Sequence, residues 1–337
     1  MIEVISFEDA VNDSAQYAKR HLLLGNGFSI ALKPRIFTYG SLLQNADFSD
    51  YPNLPEVFDN LDTTDFEVAI NALENSARLA PIYGGGAAAK AAMIDDARGL
   101  KEVLIKTVTQ NHPEGPFEVS EDEFLACREF LANFLSPDVK GNVFTLNYDL
   151  LLYWTLMRQE FSDGSTVPLE VKDGFADDDP SVRNDYVTWQ GEGSRFSSSV
   201  FYLHGALHLF DAGHELKKFT WIRTDERLKD QSWHAMMGGS LPLFVSEGTS
   251  LQKMGRIQHS AYLFQCLKRF RATVDTNKTA LFIYGHSLAD NDVHILSEIA
   301  RGKCKKLYVS LYGEPSKQSN REIISRAQAI ASNRDPA

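Results

Sequence analysis

Two side chains in this sequence are placed to handle a proton and a hydroxyl, the carboxamide of Asn147 and the imidazole of His204. Each comes just after a strand-like apolar run, Val143-Phe144-Thr145-Leu146 before Asn147 and Val200-Phe201-Tyr202-Leu203 before His204. An imidazole with its pKa near neutrality can take a proton from water or from a sugar hydroxyl. A carboxamide can both donate to and accept from a ribose hydroxyl or a water. Two further runs end in the same way. Leu22-Leu23-Leu24 leads into Gly25-Asn26-Gly27-Phe28-Ser29, and Leu281-Phe282-Ile283-Tyr284 leads into Gly285-His286-Ser287-Leu288 with Asp290-Asn291-Asp292 behind it. In an open α/β sheet the ligand crevice lies outside the carboxyl ends of the parallel strands, so four such endings can meet in one pocket.

Each residue also has a structural role open to it. Gly25 and Gly27 let a backbone approach a ligand closely, and the N–H groups of such a turn, with Asn26 in it, can hold a pyrophosphate. The same glycines can simply serve a strand-to-helix turn, and the spacing is not the full GxGxxG of a dinucleotide dehydrogenase. Asp149 suits a helix N-cap as well as a ligand. His204 can be a hydrogen-bonded core histidine; read functionally, Gly205 leaves space for a substrate beside its ring. His208, two residues from Ala206, is secondary, and His286 can face solvent. Gly285 allows close approach, Ser287 can bind phosphate or ribose, and Asp290 can bind a ribose diol, although Asp290 or Asp292 can equally cap the next helix. Arg35 is a candidate phosphate contact.

The elements needed to position these residues alternate. A helix from Phe7 to Arg20 delivers a first strand over His21 to Leu24. Helical periodicity then dominates from Tyr39 to Leu135, over Asp65 to Leu79, Gly86 to Thr109 and Glu121 to Leu135. Strand Val143 to Leu146 and a helix from Asp149 to Arg158 resume the alternation. Phe161 to Ser199 is a polar excursion with room for a hairpin, and strand Phe201 to Leu203 returns to the core. Helix Ile257 to Arg271, strand Ala280 to Tyr284, helix Asp292 to Ala300, strand Lys306 to Tyr312 and helix Ser319 to Ala331 complete the chain. The expected fold is α/β, a Rossmann-like, doubly wound, mostly parallel sheet. Residues 1–38 and 136–337 form the core and 39–135 a helical insertion.

Composition narrows the function classes. The 337 residues carry a formal charge of −11, against the clustered Lys and Arg of a sequence-independent nucleic-acid binder. The start of the sequence has no signal-peptide pattern, and no apolar run approaches the roughly 20 residues that span a bilayer. Cys127, Cys266 and Cys304 are far apart and odd in number, which fits reduced thiols in a cytoplasmic protein and no zinc ribbon.

Taken in order, GNGFS, TLNYD, YLHG and GHSLADND resemble the motifs of sirtuin-like proteins. The chain is most similar to a bacterial sirtuin-like family catalogued as a domain of unknown function and related to sirtuin-like NADases of anti-phage defence. The resemblance runs from about His21 to Tyr312. It implies NAD as substrate, with Gly25, Gly27 and Ser29 in the phosphate cradle and Asn147 orienting the nicotinamide ribose or the attacking water. It places Asp149 facing the carboxamide, His204 as general base, and Gly285, Ser287 and Asp290 near the adenosine half. The four-cysteine zinc module of sirtuin deacylases is absent, and Pro34-Arg35-Ile36-Phe37 is a distant counterpart of their Pro-Asp-Phe-Arg stretch. The implied reaction is therefore hydrolysis of NAD to nicotinamide and ADP-ribose, without a metal. A silent NAD- or ADP-ribose-binding regulatory module, and ADP-ribosyl transfer or deacylation, are the rivals. An NAD-destroying enzyme is toxic to its own cell, so control by homo-oligomer assembly or by a sensor protein is expected.

Overall fold

The computed structural model describes residues 3–33, 42–64, 66–110, 112–176, 186–191, 198–220, 227–238, 240–245 and 249–332. Arg35 and the expected boundary at residues 38 and 39 lie outside them. The described strands are β1 (Lys19–Leu24), β2 (Val143–Thr145), β3 (Phe175–Ala176), β4 (Tyr186–Trp189), β5 (Val200–Tyr202), β6 (Gly205–Asp211), β7 (Leu216–Phe219), β8 (Leu241–Phe244), β9 (Thr279–Tyr284) and β10 (Lys306–Val309).

Five of them form a parallel sheet in the order β10-β9-β1-β2-β5. The buried part of its central strands is apolar, with Leu22, Leu23, Leu24, Val143 and Phe144 all completely buried, while the less buried start of β1 is Lys19 and Arg20. A strand covered on both faces must be apolar at every position, which is the pattern of parallel sheets in α/β folds. From β1 the chain moves to β2 and β5 on one side, then returns to β9 and β10 on the other. The order reverses between β1 and β9, and such a switch point is where a Rossmann-like sheet opens a crevice.

The sequence does not announce a second sheet, which is antiparallel in the order β3-β4-β7-β6-β8. It is built from the polar excursion and the segment after it, with strands of two to seven residues. Short strands carrying Lys217, Lys218 and Pro242 give little alternation to read. Only Leu203 and His204 separate β5 from β6, so His204 sits where the chain passes from one sheet to the other.

Two helices differ from expectation. The first ends at Asp13, because Lys19 and Arg20 already pair with Thr279 and Ala280 in the sheet. The helix expected from Ile257 to Arg271 is two helices, Ser250–His259 and Ala261–Val274. Ser260 separates them in extended conformation (φ −91°, ψ 121°) and caps the second through Leu263 N. In the stretch assigned to the insertion, Leu54–Asn60, Phe66–Leu79 and Gly86–Gln110 share a core with Leu151, Trp154, Phe210 and Phe244. Helix Glu121–Leu135 instead buries Leu131 and Phe134 in the core of the parallel sheet.

Arg128 of that helix is buried, and its guanidinium donates to Thr155 O and Leu156 O, both at 2.9 Å, and to Val167 O at 2.6 Å. It thus closes the C-terminal end of helix Leu151–Met157, which carries the chain away from Asp149. Arg128→Met would leave these carbonyls buried without donors, and we expect it to lower stability by about 3 kcal/mol. The urea midpoint should fall at an unchanged m-value.

Candidate functional site

The register of the parallel sheet aligns the four strand ends. Tyr284, Leu24, Thr145 and Tyr202 lie in one row across β9, β1, β2 and β5. Two residues further along each chain come His286, Asn26, Asn147 and His204. The ladder continues past the last strand residues through Gly25 N to Tyr284 O (2.9 Å), Leu146 N to Leu24 O (3.0 Å) and Leu203 N to Thr145 O (2.9 Å). Asn147 and His204 are therefore neighbours across adjacent strand ends.

Asn147 is fixed by its amide nitrogen. Nδ2 donates to Gly25 O and to Ser29 Oγ, each at 3.0 Å. A carbonyl can only accept, so the identity of the two amide ends is settled by this network. Ser29 passes the chain on by donating to Asp149 Oδ2 at 2.5 Å, and Asp149 Oδ1 accepts Leu151 N at 2.9 Å. Ser29 is completely buried and Asp149 nearly so. Ser29, expected in a phosphate cradle, and Asp149, expected to face a carboxamide, are here linked to each other and to Asn147. The outward atom of Asn147 is Oδ1, which has no partner among the described residues. From the helical stretch, His112 Nε2 accepts Leu150 N at 2.9 Å and steadies the same turn.

His204 anchors a second network. Its Nε2 is 3.0 Å from Nε2 of His294, and His294 Nδ1 is 3.1 Å from Ser250 Oγ, which also accepts His294 N at 2.8 Å. Asp292 lies alongside, receiving Lys253 Nζ at 3.0 Å and His286 Nε2 at 3.1 Å. His286 is buried instead of facing solvent, and its Nδ1 accepts Leu288 N at 2.9 Å. Burial above all pushes the His204 imidazole down to about 3, with Lys253, His294 and His286 adding to the effect and Asp292 opposing it. The near-neutral base expected from sequence is thus a weak base, unprotonated throughout the physiological range. His294 is lowered to about 4, again mainly by burial. Burial raises the Asp292 carboxyl, but His286, His204 and Lys253 outweigh it and hold the group below the ordinary carboxylate range.

His204, His294 and Asp292 bring possible metal-ligand atoms within 4.8 Å of one another. The two imidazoles are nearly coplanar (18°), with centroids 5.2 Å apart and Nε2 atoms 3.0 Å apart, so they meet edge to edge. Their lone pairs face each other and do not converge on a third point. The arrangement fits an N–H···N hydrogen bond, and both Asp292 oxygens already have cationic or N–H partners.

The glycines serve a loop-to-loop contact. A Cβ on Gly27 would come within 2.5 Å of Gly285 Cα, and one on Gly25 within 2.8 Å of Gly285 O. Gly285 has φ +68°, and its own Cβ would lie 2.6 Å from Gly27 Cα. The close approach is thus between the β1 and β9 loops at the switch point. Gly205, with φ +72°, faces Leu243 O at 2.0 Å from an added Cβ, so the space expected beside His204 is filled by β8. Gly285→Ala combines left-handed strain with overlap against backbone, and we expect a loss of about 3 kcal/mol. A thermal melt would show it as a lowered Tm.

Ser287 and Asp290 are exposed, with Ser287 O accepting Arg326 Nη1 at 3.0 Å. Asn26 is half-buried, but its Oδ1 is sealed from solvent without a partner among the described residues.

The family model described as "Domain of unknown function (DUF4917)" matches residues 22–336. The chain belongs to the DUF4917 family. No curated protein matches it. Among solved structures, this DUF4917 chain is similar to a Sir2 homologue mutant in complex with ADP ribose and to a Sir2 homologue mutant in complex with 2'-O-acetyl ADP ribose. Each comparison has 11% identity and a TM-score of 0.36, covering 97% of this chain and 98% of that one. Residues cannot be equated across so loose a likeness, and the site is defined by this DUF4917 chain's own contacts.

Sequence reasoning missed Lys253, Ser250, His294 and the central place of Asp292. Asp292 was a capping candidate, yet its side chain makes no cap bond and turns to Lys253 and His286. The only local signal is a second histidine two residues after it. Among the described residues no helix is long and apolar enough to cross a membrane.

Proposed function

We propose that this protein hydrolyses NAD at the bond between nicotinamide and ribose, releasing nicotinamide and ADP-ribose. The observation that carries the reading is the pair of acceptors at neighbouring strand ends, Asn147 Oδ1 and His204 Nδ1, neither engaged by another described residue. Two acceptors without an acid suit this reaction. Nicotinamide in NAD is already cationic, and when the C1'–N bond breaks the electron pair neutralises the ring, so no proton donor is required. The positive charge passes to an oxocarbenium-like ribose. Water then adds to C1' and becomes strongly acidic as its bond forms, which lets a weak base such as His204 take its proton. Asn147 Oδ1 holds the water or a ribose hydroxyl in line.

Gly25, Asn26, Gly27 and Gly285 lie in the β1 and β9 loops at the switch point, where Asn26 Oδ1 is an acceptor without a partner among the described residues. We assign them, with Ser287 and Asp290 at the rim, to the ADP-ribose half. The order of the four motifs, which resembles that of sirtuin-like NAD sites, supports the same substrate. As an NAD-depleting effector in anti-phage defence the protein would need to be held inactive until triggered, by self-assembly or by a sensor partner.

The test is to incubate the purified protein with NAD and follow free nicotinamide and ADP-ribose. Release should occur with wild type and fail with Asn147→Ala and His204→Ala. Equal release by all three would sink the assignment, and NAD bound but never cleaved under any assembly state would make the protein a binding module.

A further inference from the structure

His204 can act as a base only if its proton sits on one particular nitrogen, and the structure contains a device that decides which. Its Nε2 is turned to His294 Nε2 at 3.0 Å, while Nδ1 has no hydrogen-bond partner among the described residues. The pair holds one proton between the two Nε2 atoms, so one ring donates and the other accepts. If His294 donated, the His204 proton would have to sit on Nδ1, where no described residue accepts it. His204 Nδ1 is not sealed from solvent, so a proton there would have only water to accept it, whereas a proton on Nε2 has a protein acceptor at 3.0 Å. With the proton on His204 Nε2, the side-chain N–H groups of both rings meet protein acceptors. His294 Nε2 accepts it, and His294 Nδ1–H donates to Ser250 Oγ at 3.1 Å. Ser250 Oγ also accepts His294 N–H at 2.8 Å, which fixes it beside the ring and leaves its own hydroxyl hydrogen to point elsewhere.

We propose that Ser250 and His294 form an orienting dyad that keeps the basic lone pair of His204 on Nδ1 and shares the charge when that nitrogen takes a proton. The proposal rests on the hydrolysis reading for its kinetic consequences and on hydrogen-bond geometry alone for the tautomer. In the step concerned, a water O–H bond breaks as its oxygen bonds to C1' of the ribose, and the proton goes to His204 Nδ1. The imidazolium so formed donates Nε2–H to neutral His294. The Asp292 carboxylate, within 4.8 Å through its ligand atom, is the counter-charge. After product leaves, Nδ1 returns its proton to solvent and the same tautomer is restored. His294 and Ser250 are positioning residues here, since neither has to touch substrate. The arrangement parallels a triad, with an imidazole in the place usually taken by a carboxylate. Ser250 opens helix Ser250–His259, whose Lys253 also holds Asp292, so one helix sets both the dyad and the counter-charge.

Two measurements test this. Nitrogen NMR of the intact protein labelled at histidine should show His204 protonated at Nε2 and His294 at Nδ1 near neutral pH. His204 protonated at Nδ1 would overturn the proposal whether or not the protein turns over NAD. In kinetics, His294→Ala should lower kcat by roughly 10²-fold with KM for NAD unchanged. His294→Gln, whose side-chain carbonyl can still accept from Nε2–H, should recover part of that loss, and Ser250→Ala should cost less than His294→Ala. Wild-type kcat in both His294→Ala and Ser250→Ala, or an effect confined to KM, would also overturn it. Should His294→Ala fail to fold, Ser250→Ala and the wild-type tautomers still decide. A wild type that never cleaves NAD but shows the expected tautomers would remove the hydrolysis reading and leave the wiring standing.

Discussion

Asn147→Ala is expected to lower the rate of nicotinamide release by roughly 10³-fold at saturating NAD, with a much smaller change in KM. The split follows from which atoms of the amide are engaged. Both hydrogens of Nδ2 are committed to Gly25 O and Ser29 Oγ, so they orient the side chain and cannot contribute to binding. Only Oδ1 is left for the proposed contact with water or the ribose hydroxyl, a contact that matters most when that group must be held in line. The substitution also leaves Gly25 O without its side-chain donor, so about 1 kcal/mol of stability should be lost with the activity. Asn147→Asp separates the two effects. It keeps the outward acceptor but sets a carboxylate against Gly25 O and near Asp149, and it should destabilise more than alanine does. Ser29→Ala removes one of the two anchors and leaves the amide in place, so it should retain more activity than Asn147→Ala. Steady-state release of nicotinamide, read beside a thermal melt for each variant, checks the ordering.

The four strand endings were legible because an apolar run followed by glycine, asparagine or histidine is a local pattern. Their alignment is almost visible too, since Leu24-Gly25-Asn26, Thr145-Leu146-Asn147, Tyr202-Leu203-His204 and Tyr284-Gly285-His286 each place the polar residue two beyond the end of a buried strand. What could not be read is who bonds to whom. Ser29 and Asp149 are 120 residues apart, and each had a plausible local role, in a phosphate turn and in a cap. Asp290 and Asp292 are indistinguishable as letters; the backbone turn exposes the first and buries the second between Lys253 and His286. The antiparallel sheet escaped notice because strands such as β3 and β7 get their stability from neighbours and carry little periodicity of their own. The position of Gly205 is explained only by β8, which arrives nearly forty residues later.

Histidine burial makes the whole molecule acid-sensitive, and the effect should be large. Burial lowers His21, His112 and His294 to about 4 and His204 to about 3, and drives His208 well below its ordinary value of 6.5. His208 has neither ring nitrogen paired among the described residues and is sandwiched against Tyr153 at 4.3 Å, so a proton on it has no acceptor. These groups are neutral in the folded protein and take up protons near pH 6.5 once unfolded. Above that pH neither state binds the proton, and stability is independent of it. As pH falls from about 6.5 towards 4 the unfolded state alone is protonated, so stability drops, by up to about 1.4 kcal/mol per pH unit for each imidazole. With several imidazoles acting together the loss near pH 4.5 is comparable to the whole stability of an ordinary domain, about 5–15 kcal/mol. Urea midpoints should therefore be level from pH 8 to 7 and fall steeply between 6 and 5, and His208→Phe should make that fall shallower by removing one proton from the unfolded side. A midpoint unchanged from pH 7.5 to 5 would mean that the imidazoles are charged in the folded state, which would also deny His204 the free lone pair that its role as a base demands.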